Sequence, residues 1–106
     1  MEAAFARNAY VCETCGHRTV TVNACEGVTP YLIRCRFNCC GGTAKSQLYR
    51  ISQHERPTFE WYSPEAEERQ KLDRHTLQHV EHGGLLLRRL EILRAEQVYG
   101  IRLRQG

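Results

Sequence analysis

The sequence predicts an α+β chain: a small three-stranded antiparallel ribbon carrying two metal-binding turns, followed by one or two C-terminal helices. Three observations predict it. Cysteines occur in two closely spaced pairs, C-x2-C at Cys12 and Cys15 and C-x4-C at Cys35 and Cys40, with nineteen residues between the pairs. The stretch His17-Arg-Thr-Val-Thr-Val-Asn23 alternates strictly with period two and is rich in β-branched residues, as a strand requires. Beyond residue 62 the signals change to helix starts and stops.

Each cysteine pair is followed directly by glycine, Cys15-Gly16 and Cys40-Gly41. A short loop with two thiolates must turn sharply so that both sulfurs face one point, and glycine supplies the backbone freedom for it. Two such knuckles about twenty residues apart describe a closed, four-sulfur structural zinc site, with Cys12, Cys15, Cys35 and Cys40 as ligands and one structural Zn2+ as cofactor. Cys39 competes with Cys40 for the fourth place, because Cys35-x3-Cys39 would close the loop one residue earlier. Cys25 falls at the far turn of the hairpin and reads as a small thiol without a metal role. Three disulfides are the alternative use of six cysteines. Met1 to Val11 contains Arg7 and no apolar run, so no secretory signal is visible, and a cytoplasmic, metal-binding chain is expected.

Taken in order, Tyr10-Val11 leads into the first knuckle and residues 17–23 form the next strand. Glu26-Gly27 and Thr29-Pro30 supply a turn, Tyr31 to Arg34 returns to the second knuckle, and Lys45 to Ile51 makes the third strand. Strands alternating with knuckles are the plan of a zinc ribbon. Gln53 to Tyr62, with Pro57, Phe59, Trp61 and Tyr62, is expected to fold back and cap the ribbon's open face. Residues 1–62 therefore read as a zinc-ribbon domain with an aromatic capping segment, and 63–106 as a helical C-terminal extension. The first helix starts at Ser63-Pro64, a hydroxyl cap followed by proline, carries Glu65, Glu67 and Glu68 where the helix dipole favours acids, and ends at Gly83-Gly84. Leu85 to Tyr99, apolar at 86, 90 and 93, reads as a second helix, with a strand over Leu85 to Arg88 as the competing assignment.

The formal charge of +3 overstates the protein's basicity, because four thiolates around one Zn2+ add −2 and leave about +1. Distribution is more informative: residues 63–82 hold five acids against three bases, and residues 83–106 hold five arginines against two glutamates. Candidate contacts for a nucleic-acid or protein partner are Arg34, Arg36, Lys45 and Arg50 on or beside the ribbon strands, and Arg88, Arg89 and Arg94 in the tail, which continues to Arg102 and Arg104. The leucines after Gly84 are numerous for a terminal helix in so small a chain, which points to a homodimer or a partner surface. His75, His79 and His82 share one helix face, but no glutamate sits between them as metalloprotease chemistry needs, so a solvated or partner-facing stripe is expected. His17 reads as a neighbour of the metal site or a surface residue. No nucleophile motif, phosphate loop or carboxylate pair is present, and a four-cysteine site has no open coordination position. The expectation is a non-catalytic binding module with no small-molecule substrate and no membrane span.

The residues Glu26-Gly-Val-Thr-Pro30, Cys35, Cys40-Gly41, Leu48-Tyr-Arg50, Glu60-Trp-Tyr62, His79-Val80 and Gly83-Gly84-Leu-Leu-Leu87 carry a resemblance. In them the chain resembles a group of small zinc-ribbon proteins, without assigned function, from bacteriophages and prophages, over residues 10–88. The resemblance implies a bacterial intracellular setting and an accessory, non-catalytic role. It brings no established activity. The ribbon and its arginines point to a module that engages nucleic acid or host nucleic-acid machinery, and the leucines after Gly84 to the alternative of a protein–protein effector such as an inhibitor of a host enzyme or defence complex.

Overall fold

A computed structural model describes residues 6–37, 40–51 and 55–99. Six strands form one mixed, curled sheet, an open half-barrel, in the order β3-β4-β1-β2-β5-β6. The strands are β1 (Arg7–Cys12), β2 (Arg18–Asn23), β3 (Leu32–Arg34), β4 (Thr43–Ser46), β5 (Phe59–Tyr62) and β6 (Leu86–Arg89). Three short helices accompany them: α1 (Ala66–Arg69), α2 (Arg74–Glu81) and α3 (Ile92–Tyr99). The expected three-stranded antiparallel ribbon with appended helices is therefore corrected, because the sheet has six strands and one of its pairings, β2 with β5, is parallel.

Local pattern marks β2 and β3 and overlaps β4 in part, β1 shows only as a lead into the first knuckle, and tertiary pairing adds β5 and β6. The aromatic segment does not cap a ribbon face. It enters the sheet as β5, with Thr21 opposite Phe59 and Asn23 opposite Trp61. This puts Trp61 into the core, where its ring lies 6.1 Å from that of Tyr10 at an angle of 55°. Leu86 to Arg89 then completes the sheet as an antiparallel strand, with Trp61 opposite Leu87 and Phe59 opposite Arg89. The helical spacing of 86, 90 and 93 lost to the open edge of β5, which offers a ladder of backbone partners extended by Leu90 N–H to Thr58 O at 2.9 Å. Val28 and Gly84 add an isolated parallel bridge, with Val28 N–H donating to Gly83 O and Leu85 N–H to Val28 O.

The single helix expected from Ser63 to His82 is two. Asp73 interrupts it by accepting from the backbone N–H groups of His75 and Thr76 at 3.1 and 3.2 Å, an N-cap that starts α2 afresh. Beyond β4 the third expected strand stops early, because Leu48 and Tyr49 turn into the left-handed region at φ +58° and +63°.

Side chains on the two faces of the sheet form two cores. Tyr10, Cys12, Cys35, Ala44, Trp61 and Leu85 cluster on one face, with Cys25, Ile33, Cys40 and Leu87 packed against them. Val22, Leu90 and Ala95 form the other beneath α3. Leu85 and Leu90, read from sequence as part of an apolar partner face, are thus buried within the chain, while Ile92 and Leu93 remain exposed.

Candidate metal centre and basic surface

Both knuckles are built by tight turns at the ends of strands. Cys12 ends β1, Gly16 N–H donates back to Cys12 O at 3.0 Å, and Gly16 sits at φ +77°. In the second knuckle Cys35 follows β3, Cys40 N–H donates to Phe37 O at 2.9 Å, and Gly41 sits at φ +75°. These are the left-handed conformations for which glycine is suited, as the sequence suggested. Gly42 has a different reason to be glycine: a Cβ there would lie 2.8 Å from Cys12 Sγ and 2.8 Å from Thr14 Oγ1. The backbone must approach the cluster that closely to carry Cys40 to the other sulfurs.

The four sulfurs of Cys12, Cys15, Cys35 and Cys40 all lie within 4.8 Å of one another and could hold a metal ion. Cys12 Sγ is 3.7 Å from Cys40 Sγ, and Cys15 Sγ is 3.6 Å from Cys35 Sγ. A tetrahedron with metal–sulfur bonds of about 2.3 Å has edges of about 3.8 Å, so the cage fits a four-thiolate ion. The N–H groups of Thr14 and Cys15 point at Cys12 Sγ, at 3.3 and 3.4 Å. The Cys15 N–H foremost, and the Thr14 N–H after burial is offset, lower the Cys12 thiol to about 6. Cys35 goes the other way. The N–H of Phe37 pulls it down, but burial and the thiols of Cys12, Cys15 and Cys40 push it up to about 12. Cys40 is also raised, the Gly42 N–H being outweighed by Cys15, burial and Cys12. Four adjacent sulfurs resist sharing four negative charges, and a divalent cation among them removes that conflict. Cys39, the competitor for the fourth place, lies outside the described residues. Cys25 packs against the core and is not among the four clustered sulfurs.

The histidines do other work. His17 stacks on Phe37 with ring centroids 4.8 Å apart and an interplanar angle of 22°. His79 lies so close over Gly84 that a Cβ there would fall 2.2 Å from the imidazole, and its Nε2 is 3.2 Å from Leu85 O. His82 Nδ1 lies 2.7 Å from Gln78 O. Among the described residues, only the four cysteines meet metal-ligand geometry.

The basic candidates divide sharply. Arg88 and Arg94 are committed inside the chain, because both direct Nε at the fully buried carboxylate of Glu60, at 2.8 and 2.7 Å. Tyr99 Oη adds a third donor at 2.6 Å. Burial alone would raise the Glu60 carboxyl, but the hydrogen bonds from Tyr99, Arg94 and Arg88 outweigh it and hold the group below the usual carboxylate range. Lys45 pairs with Glu13 at 3.4 Å. Arg34, Arg36, Arg50 and Arg89 are exposed and have no carboxylate partner among the described residues. Arg36 and Arg89 both approach the Phe59 ring, with guanidinium carbons 5.7 and 5.1 Å from its centroid. Arg102 and Arg104 lie outside the described residues.

Sequence reading missed Glu60 and Phe37. A lone charge inside the aromatic run Phe59-Glu-Trp-Tyr62 was the available signal for the first, since a carboxylate at a strand position that becomes buried needs cationic partners. Nothing local marked Phe37 as the ring that stacks on His17. No helix among the described residues is long and apolar enough to cross a membrane. The likeness to zinc-binding modules rests on the cysteine cluster itself. No protein-family model, curated protein or solved structure matches the chain.

Proposed function

We propose that this chain is a non-catalytic module, folded around one structural zinc ion, that binds nucleic acid through the guanidinium groups beside its second knuckle. The observation carrying this reading is the separation of the arginines. Arg34 and Arg36 flank Cys35, and Arg89 approaches the same Phe59 ring as Arg36, all three exposed and without carboxylate partners among the described residues. Guanidinium groups left unneutralised near one another suit phosphate, which they can contact with paired N–H donors. Zinc is the ion that a closed sulfur-only cage suits, and its role is to fix the knuckle that displays these side chains. The setting we assign, the bacterial cytoplasm and an accessory phage-type role, rests only on the resemblance in residues 10–88.

The test is an anisotropy titration of the zinc-loaded full chain with nucleic acid over a range of salt concentrations. Binding should weaken linearly on a log–log plot, and the paired Arg34→Ala and Arg36→Ala changes should each flatten the slope by about 0.7 to 0.9. Absence of binding at low salt sinks the reading. A second reading, a protein–protein effector that could be homodimeric, is favoured by Tyr31, Leu32, Leu48 and Tyr49. These are 43 to 57% exposed around the left-handed turn after β4. A stable complex insensitive to salt would support that alternative.

A further inference from the structure

We infer that the nucleic acid this surface takes is single-stranded, held by one unstacked base on the outer face of Phe37 with its phosphate between Arg36 and Arg89. The inference rests on the nucleic-acid reading above and specifies its ligand. Phe37 is 46% exposed, whereas Tyr10 and Trp61 are buried in the core. One face of the ring is already occupied by the His17 imidazole, stacked at 4.8 Å and 22°. A half-exposed ring backed by an imidazole gives up little freedom when a base is laid on it. Every base has a π-face, so such a platform is tolerant of sequence. Duplex bases are stacked on each other and cannot reach it.

The charges are placed to match. Arg36 immediately precedes Phe37 in the chain, and its guanidinium lies over the Phe59 ring. Arg89 reaches the same Phe59 ring from the neighbouring strand, where the two residues sit directly opposite each other. Both guanidiniums are held by aromatic contact and, among the described residues, not by a carboxylate, which leaves their N–H donors available for a phosphate oxygen. Aromatic platforms alternating with basic groups along a surface are how sequence-tolerant single-strand binding is built.

The experiment uses the zinc-loaded full chain and three probes: a short deoxythymidine homopolymer, a uridine homopolymer and a DNA duplex of the same length. Wild-type protein should bind one or both single strands more tightly than the duplex. Phe37→Leu, which keeps apolar bulk but removes the π-face, should weaken single-strand binding about tenfold with the salt slope unchanged, and Phe37→Tyr should restore it. Arg36→Ala and Arg89→Ala should each lower the single-strand slope by about 0.7. Zinc content equal to wild type in each variant excludes loss of fold. Equal affinity for duplex and single strands, or a Phe37→Leu protein with wild-type affinity, overturns the platform and leaves nucleic-acid binding standing. No binding to any probe at low salt overturns both.

Discussion

Replacing Glu60 with glutamine should destabilise the fold by about 2 to 3 kcal/mol, a figure set by the surroundings of the carboxylate. Glu60 is fully buried and accepts from Arg88 Nε at 2.8 Å, Arg94 Nε at 2.7 Å and Tyr99 Oη at 2.6 Å. Breaking a buried ion pair typically costs about 3 to 5 kcal/mol. Two features reduce that here. The arginine side chains are 42% and 37% exposed, so water recovers part of their solvation, and glutamine retains one acceptor oxygen. With a urea dependence of roughly 1.5 kcal/mol per molar, the unfolding midpoint of the zinc-loaded protein should fall by about 1 to 2 M at unchanged slope. The sign of the pH dependence separates the two forces on this group. A carboxyl held below its usual range contributes stability above the unfolded value of about 4.3 and loses it only as pH falls through the lower folded value. The gap between wild type and Glu60→Gln should therefore be undiminished from pH 7 to about pH 5. A midpoint change below about 0.3 M would show that the clamp contributes little, and a gap that widens as pH falls from 7 to 5 would show that burial wins and raises the carboxyl above its unfolded value.

Other consequences are open to direct measurement. Cys12→Ser and Cys35→Ser should abolish stoichiometric zinc uptake and cooperative unfolding, whereas Cys25→Ser should preserve both, as read by metal analysis and circular dichroism. Gly42→Ala forces a methyl against Cys12 Sγ and Thr14 Oγ1 and should weaken zinc retention at least about tenfold in a chelator competition. Leu48 and Tyr49 occupy the positive-φ positions of a turn closed by Arg50 N–H to Gln47 O, where asparagine and glycine fit without strain. The double change Leu48→Asn, Tyr49→Gly should stabilise the protein by about 1 kcal/mol in thermal or urea unfolding. Destabilisation instead would mean that the Tyr49–Thr29 hydroxyl contact outweighs the relieved strain.

The parts of this fold that were legible in the sequence are those written in neighbouring residues. Cysteine spacing and the glycines at 16 and 41 encode turns of a few residues, and the period-two run 18–23 encodes a strand whatever it pairs with. What was hidden depends on distant partners. Phe59 to Tyr62 became a sheet strand because β2 had an open edge nearly forty residues back in the chain, and at Leu86 to Arg89 the competing strand assignment prevailed because β5 then presented an edge of its own. A triple leucine satisfies both a helix face and a buried strand, and only the available hydrogen-bond partners decide between them. The same holds for Arg88 and Arg94. Their sequence neighbourhood marks a basic tail, while their partner Glu60 lies 28 and 34 residues away. Asp73 was different, since an N-cap is a local signal, and a long helical pattern around it masked the break.

Everything proposed for the site turns on whether Cys12, Cys15, Cys35 and Cys40 jointly hold one metal ion. The most direct test is zinc analysis of the reduced, reconstituted chain combined with mass-spectrometric mapping of cysteines alkylated before and after chelation. One zinc per chain is expected, with these four cysteines protected from alkylation until the metal is removed. A folded chain that holds no zinc, or whose cysteines prove to be paired as disulfides, would contradict that expectation.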